Sequence, residues 1–550
     1  MPKVAFTNRL RAWVPFFFGS TTLAASVYRT FARTHRHMAG HVGYALDDTY
    51  IHMAMAKNFA AHGVWGVTRH EFTSSTSSPL WTLLLGGFYA LFGVNEIGPL
   101  VLNLAFAALL IYAMGRILLR LGVGVPAASV IVVLAVVFTP LLAMVWVGME
   151  HTPHILLTIM LVHLASQALA REPVRRLRQM RREHVLLLLV APFVTAIRYE
   201  GLFVVFVVAV LFLARRSVGY AFLLGIVAVL PVAAYGAISM YHGWWLLPNS
   251  VILRNRAPSA VLSSSALKFA LGWVIGNLGR SGFLGILILA TLFILLVRAM
   301  RNLPFWEPPH LFAVVLLGVL LLHLQFARVG HFYRYDAYLV ALGIFTVGLN
   351  SVTLYRAGER RASRAITAAI LALVCIPLAY WAKHGGATPS AVASAIGNIY
   401  DQQYQMGLFI RRYYGGQDVA VNDIGAVSYL ADIRLLDIGG LANRDVAAAM
   451  KNRDPGPPHF TTTFIDSLAR KRGTTLAIAY PGWFSSAGGL PARWVEVGTW
   501  TISDNLVCAD STVHIYATNR AETARLIADL RAFAPHLPAT VRQAGAYTAR

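Results

Sequence analysis

Up to about residue 383 the chain alternates long apolar runs with short polar or basic turns, and beyond that point the runs shorten to strand length. The long runs fall near 12–29, 97–115, 124–147, 151–170, 185–197, 199–214, 217–240, 281–298, 310–327, 336–354 and 364–382. Each is long enough, or nearly so, to cross a bilayer as a helix, and together they predict about eleven transmembrane helices. A further run at 79–92, opening on Pro79-Leu80-Trp81, reads as a re-entrant or interfacial helix. Counting it as a full span would turn Arg116 and Arg120 to the opposite face from the other basic clusters. In the tail, Val419-Ala420-Val421, Arg434-Leu435-Leu436-Asp437, Thr475–Ala479 and Val513–Tyr516 read as short buried strands, preceded by a helix over Ile399–Tyr413. The expected organisation is a transmembrane domain over 1–383, with a first outward loop at about 30–96, and a soluble α/β domain over 384–550, large enough to bury its own core.

Composition fixes the class. With 57% hydrophobic and only 13% charged residues and a mean hydropathy of +0.59, the chain is a polytopic α-helical membrane protein. The net charge of +23 would ordinarily suggest nucleic acid, but the arginines stand between apolar runs, where positive charge orients spans, so no nucleic-acid partner is expected. Arg171–Arg182, Arg215/Arg216, Arg298/Arg301 and Arg356–Arg364 all face the cytoplasm if the helices simply alternate. That map describes a multi-pass protein of the bacterial inner membrane, with 30–96, 147–151, 198–200, 241–280, 328–335 and everything after about 384 outside. Lys3, Arg9 and Arg11 precede a first run with no evident cleavage site, so an uncleaved span is expected. The two cysteines, Cys375 in an apolar run and Cys508 in the tail, do not suggest a disulfide framework.

The unusual polar residues all lie on the outward side of this map. Asp47 and Asp48 open a segment, DDTYIHMAMAKNFAA, that reads as a short amphipathic helix, and adjacent acids at a membrane boundary are costly enough to imply a task. Asp47 also suits a helix N-terminus. The hydroxyl run Thr73–Ser78, including Ser77 and Ser78, could line a groove at the lipid surface. Glu150-His151 closes one outward turn, and Arg198-Tyr199-Glu200-Gly201 forms another, where Arg198 and Glu200 must pair with each other or with a ligand. Asn249, Arg254 and Arg256 lie in the long loop; Arg328, His331, Tyr333, Arg334, Tyr335 and Asp336 lie in a late turn. Arginine suits bidentate phosphate contacts, so this face presents a candidate base beside groups that hold an anionic leaving group. His151, His154 and His331 lack diagnostic metal-ligand spacing; no metal site is assigned, and an assisting divalent cation stays open. The absence of Walker-type or GxGxxG loops argues against a nucleotide-sugar donor.

Five motifs in order, DDTYI at 47–51, TSSPLW at 76–81, GMEH at 148–151, RYEG at 198–201 and LPNS at 247–250, resemble those of the GT-C superfamily of polyprenyl-phosphate-dependent glycosyltransferases, and most resemble the terminal β-arabinofuranosyltransferase family. The segment from Asn422-Asp423-Ile424-Gly425-Ala426 through Asp437–Leu441 is similar to the tail domain of such proteins. The chain departs from that family at Ala54 and Ala61. The resemblance implies a GT-C fold and an inverting transfer of sugar, arabinofuranose among the candidates, from a lipid-linked donor to a glycan, lipid or protein acceptor. It makes Asp47 the general base and Asp48 its orienting or sugar-binding neighbour. Arg334, then Arg254, then Arg198, would hold the phosphate; Glu150 and Glu200 would either hold the acceptor or support the residues that bind substrate; Tyr50, Ser77, Ser78, His151, Asn249 and His331 complete the expected substrate contacts. The competing class is a transporter or flippase of lipid-linked or small-molecule substrates, which would more commonly show two related halves.

Overall fold

A computed structural model describes residues 11, 13–253, 264–330, 332–357, 364–366, 368–370, 372, 373, 376, 387–451 and 460–549. The membrane part contains α1 (Val14–Thr34), α2 (Asp47–His62), α3 (Pro79–Phe92), α4 (Gly98–Arg120), α5 (Val125–Phe138), α6 (Leu141–Val147), α7 (His151–Leu169), α8 (Arg182–Ile197), α9 (Gly201–Ala214), α10 (Val218–Tyr241), α11 (Ser264–Arg280), α12 (Gly282–Met300), α13 (Pro308–Phe326) and α14 (Ala337–Arg356). Proline stands in the first turn of α1, α3, α4, α5 and α13, where its missing N–H breaks no bond.

Among the described residues, six helices (α4, α7, α10, α12, α13 and α14) are long and apolar enough to cross a membrane, and the α5–α6 pair, bent by 48°, makes a seventh when the pair is counted as one span. α8 and α9 are only 16 and 14 residues long because the Arg198–Glu200 turn interrupts one continuous apolar stretch. The run at 364–382 lies mostly outside the described residues. Helix α3, 14 residues, is too short to span, in keeping with its reading as re-entrant or interfacial. Helix α11 forms where a loop was expected.

Helix α2 differs most from its sequence pattern. It is not amphipathic: every residue from Thr49 to Ala56 is buried, because membrane helices close over one side and the tail domain covers the other. Gly63 ends it in the left-handed region at φ 69°, donating back to Asn58 and Phe59. Its start is fixed by Ala45, which donates to the Trp146 carbonyl at 3.0 Å, and by the Thr49 hydroxyl, which donates to Val147. Gly148 makes this approach possible, since a Cβ there would lie 2.5 Å from the Tyr44 ring.

The tail opens with α15 (Pro389–Ile399), a π-helical turn at Tyr400–Tyr404 and α16 (Gln405–Tyr413). A six-stranded sheet follows: β1 (Asp418–Val421), β2 (Arg434–Asp437), β3 (Leu476–Ala479), β4 (Val495–Thr501), β5 (Thr512–Ala517) and β6 (Arg542–Gly545), in the order β2-β1-β3-β5-β4-β6. β1 runs parallel to β2 and β3, and the remaining pairs are antiparallel. Leu476–Ala479 is buried throughout, as the apolar composition of a covered parallel strand requires. β4 and β6, rich in Gly, Thr and Gln, have no sequence counterpart among the expected strands. The strands are linked by α17 (Gly425–Leu430), α18 (Arg444–Lys451) and α19 (Thr462–Arg472), and α20 (Thr523–Phe533) covers the antiparallel half.

Phe409 anchors that half, its ring 5.4 Å from Phe533 and 5.8 Å from Trp500. Phe409→Ala is expected to destabilise the tail by about 3–5 kcal/mol, read as a lowered unfolding midpoint of purified protein while the membrane helices keep their circular dichroism.

Candidate functional site

The site is built where the first residues of α2 meet three turns. Asp47, half-buried, points both carboxylate oxygens at the tail: Oδ2 accepts from the Gly425 N–H at 2.7 Å and Oδ1 from the Ala426 N–H at 2.8 Å. These are first-turn donors of α17, so Asp47 caps a helix of the other domain rather than its own. Gly425 permits this contact, because a Cβ there would lie 2.0 Å from the Asp47 carbonyl oxygen.

Asp48 faces the other way. Its Oδ2 accepts from Nη2 of Arg334 at 2.7 Å, pairing a side chain 23% exposed with one only 1% exposed. Arg334 also donates to the Tyr335 hydroxyl at 3.2 Å, and its guanidinium lies 5.0 Å from the Tyr335 ring centre. Burial works against the Arg334 charge and Asp48 sustains it; the second effect wins, so the group stays cationic. Its Nε is buried without a hydrogen-bond partner. A desolvated guanidinium with a spare donor is an anion site in waiting.

The second ion cluster also meets Tyr335, whose ring centre is 5.8 Å from the Arg198 guanidinium. Arg198 donates through Nη2 and Nε to Glu200 at 2.6 and 3.2 Å, and through Nη1 to Glu150 at 2.5 Å. One arginine thus neutralises both acids. His52 lies one helical turn after Asp48 and places Nε2 3.7 Å from Glu150, while Nδ1 is 3.0 Å from the Thr82 hydroxyl. His151, buried beside Glu150, has Nε2 without a partner.

Other residues singled out in the sequence hold the framework. Tyr50 is fully buried, its hydroxyl accepting the Tyr44 N–H at 3.3 Å and its ring 6.0 Å from Tyr429 of the tail. Ser78 donates to the Ile197 carbonyl at 2.7 Å, tying the start of α3 to the Arg198 turn. Asn249 donates to the Gly440 carbonyl at 2.9 Å and so reaches the tail, not the acids. Ser77 is half-buried near these elements. Arg254, Arg256 and His331 lie outside the described residues. Among the described residues, no group of three or more His, Cys, Asp or Glu has a metal-binding arrangement.

Sequence reasoning did not select His52, Tyr335 as the bridge between the two guanidiniums, or Asp423. Spacing alone could have found His52, four residues from Asp48. Asp423 carries no such signal, because only the fold brings the end of β1 against the start of α2. Its Oδ2 accepts from Nε2 of Gln403 at 2.9 Å and from the Tyr480 hydroxyl at 3.2 Å. Burial and the neighbouring Asp423 raise the proton affinity of Asp47 above that of an ordinary carboxylate, outweighing the two N–H bonds.

A bundle of apolar helices with ion-paired turns at one end and an α/β tail seated on those turns defines a multi-pass membrane protein of GT-C fold. The chain has the fold of ArnT from Cupriavidus metallidurans in the apo state, with a TM-score of 0.51 at 14% identity over 91% of this chain and 98% of that one. ArnT bound to undecaprenyl phosphate aligns at 0.49 with 15% identity over the same shares, and the oligosaccharyltransferase AglB from Archaeoglobus fulgidus, in complex with an inhibitory peptide and a dolichol-phosphate, at 0.49 with 14% identity over 93% of this chain and 75% of that one. A family model described as Domain of unknown function (DUF8728) matches residues 397–516. No curated protein matches the chain.

Arg198→Met would leave Glu150 and Glu200 buried without their cation. It is expected to cost about 3–5 kcal/mol, more than Glu200→Gln, which removes the less buried partner, 17% exposed, and leaves the Glu150 pair; comparative thermal unfolding in detergent measures the difference.

Proposed function

We propose that the protein is an inverting membrane glycosyltransferase that moves a sugar from a polyprenyl-phosphate donor to a glycan, lipid or protein acceptor. The observation that carries this reading is the adjacent Asp47–Asp48 pair: Asp47 is a carboxylate of raised proton affinity, and Asp48 pairs with Arg334, a buried guanidinium with one donor unused. In the proposed step the acceptor hydroxyl oxygen attacks the anomeric carbon while the bond from that carbon to the phosphate oxygen breaks. The electron pair leaves on the lipid phosphate, where Arg334 stabilises it, and the hydroxyl proton passes to Asp47. A single displacement inverts the anomeric centre. Asp48 holds Arg334 until the phosphate shares it. The shared ArnT fold supports the membrane-enzyme class, and arabinofuranose is the first donor to test because the five motifs resemble those of arabinofuranosyltransferases.

We place the reaction on the extracytoplasmic face. α7 starts at the site and ends by Arg171, α9 starts there and ends by Arg215, and α14 runs from Asp336 to Arg356, so the basic ends lie opposite the acids. Accessibility labelling of a cysteine introduced near residue 41, exposed beside the site, checks this: labelling only from the cytoplasm would overturn the assignment.

Asp47→Asn is expected to lower sugar transfer by about 100- to 10,000-fold with unchanged membrane insertion. Assay of purified protein against a panel of radiolabelled polyprenyl-phosphate sugars measures it, and transfer at the wild-type rate would remove Asp47 from the mechanism. Because a base must be deprotonated and Asp47 holds its proton more tightly than usual, activity is lost as pH falls through a value well above about 4, where an ordinary aspartate titrates. A kcat/KM profile flat down to that range would contradict the base role.

A further inference from the structure

The tail domain carries a second feature at the same place, and it rests on the transferase reading just given. Strand β1 connects to β2 on one side, and the chain then returns to place β3 on the other side. In an open sheet of parallel strands, the crevice beyond the carboxyl ends at such a reversal is where ligands bind. Here β1 ends at Val421 and is followed by Asn422-Asp423, and β3 ends at Ala479 and is followed by Tyr480, whose N–H donates to the Asn422 Oδ1 at 3.2 Å. The carboxyl ends of these strands meet Asp47, because Gly425 and Ala426, two and three residues past Asp423, hold its carboxylate. The next loop of the same sheet edge, after β2, is folded around Asp437, whose carboxylate accepts the N–H groups of Gly439 and Ala442, and it too meets the membrane part: Ser75 donates to the Leu441 carbonyl at 2.9 Å.

We propose that this switch point is the second wall of the catalytic cleft and that Asp423 is a positioning residue for Asp47. The Gly425–Ala426 N–H pair orients the Asp47 carboxylate, and Asp423 stands two residues before that pair in the same loop, so the membrane part alone makes an incomplete site. The charged and titratable groups facing Asp47 are Asp48 on its own helix, Asp423, Tyr480 and Cys508 from the tail, and Tyr50, with Arg334 behind Asp48. Asp423 is the tail carboxylate whose charge acts most strongly on Asp47, so replacing it isolates the effect.

The test is the pH profile of Asp423→Asn in the full-length protein. Asparagine keeps an oxygen that accepts from Tyr480 and Gln403 but carries no charge. The acidic limb of kcat/KM should move down by about one pH unit or more, with activity at alkaline pH retained within a few-fold. A uniform loss at all pH values, the signature of a merely structural role, would overturn the proposal, as would an unmoved limb. A second measurement needs no substrate: in the infrared spectrum of wild type minus Asp47→Asn, a carboxyl should titrate above the ordinary aspartate range, and an ordinary value would overturn the pairing even if Asp423→Asn fails to fold. Wild-type protein inactive on every donor in the panel would instead overturn the transferase reading.

Discussion

The structure depends on how Asp47 is held. Its carboxylate takes the first two free N–H groups of α17, and ten residues along the same helix Lys57 donates to the carbonyls of Ser428 and Tyr429 at the other end, at 3.2 and 2.6 Å. An anion at the N-terminus and a cation at the C-terminus both match the dipole of α17, and each such contact is worth about 0.3–1 kcal/mol at exposed sites and up to about 2 when partly buried. Helix α2 thereby grips α17 at both ends. The two contacts also fix the axial register of the helices, because a slide along either axis would break both.

This clamp explains why the candidate acids survive in an apolar setting. A carboxylate near hydrocarbon costs several kcal/mol unless it is bonded, and each acid here has a different solution: backbone N–H groups for Asp47, one guanidinium for Asp48, and a shared guanidinium for Glu150 and Glu200. Tyr335 lies between the two arginines and offers both its ring face. The result is an array in which Arg198 is held by two acids and Arg334 by Asp48, with the Nε of Arg334 left without a partner. An incoming phosphate would therefore compete with Asp48 for a group whose position is set by protein contacts alone.

Much of this was legible in the chain, for identifiable reasons. Apolar runs bounded by arginines map onto helices because hydrocarbon leaves the backbone no other way to satisfy itself, and β1, β2, β3 and β5 follow from short β-branched and leucine-rich runs. The acids and arginines stood out because their cost in such a segment demands a partner. What could not be read was which partner. Asp47 to Gly425 spans 378 residues, and nothing in DDTYI indicates that its first acid belongs to a helix of the tail. The pattern of α2 misled for the same cause: its apolar and polar residues are both covered, one set by the bundle and the other by the tail, so periodicity lost its usual meaning. For Tyr50, Ser78 and Asn249, polar groups in outward loops, the sequence did not indicate that their hydrogen bonds join elements of the framework.

The same contacts argue that the tail is part of the working protein and not a passenger. The interface joins a parallel-strand edge, where backbone N–H groups and loop carboxylates converge, to turns whose side chains carry every buried ion pair of the site. Tyr404 extends it, donating to Glu96 of the first loop at 2.6 Å, and Asp401 pairs with His37 at 2.7 Å, so the contact runs from the end of α1 through α2 to the loop before α4. An interface that uses charged and backbone groups at this density is specific in register but gives less by hydrophobic burial than a core does. Its geometry is consequently sensitive to protonation, and the carboxylates most exposed to that sensitivity, Asp47 and Asp423, are the ones on which the proposed chemistry rests.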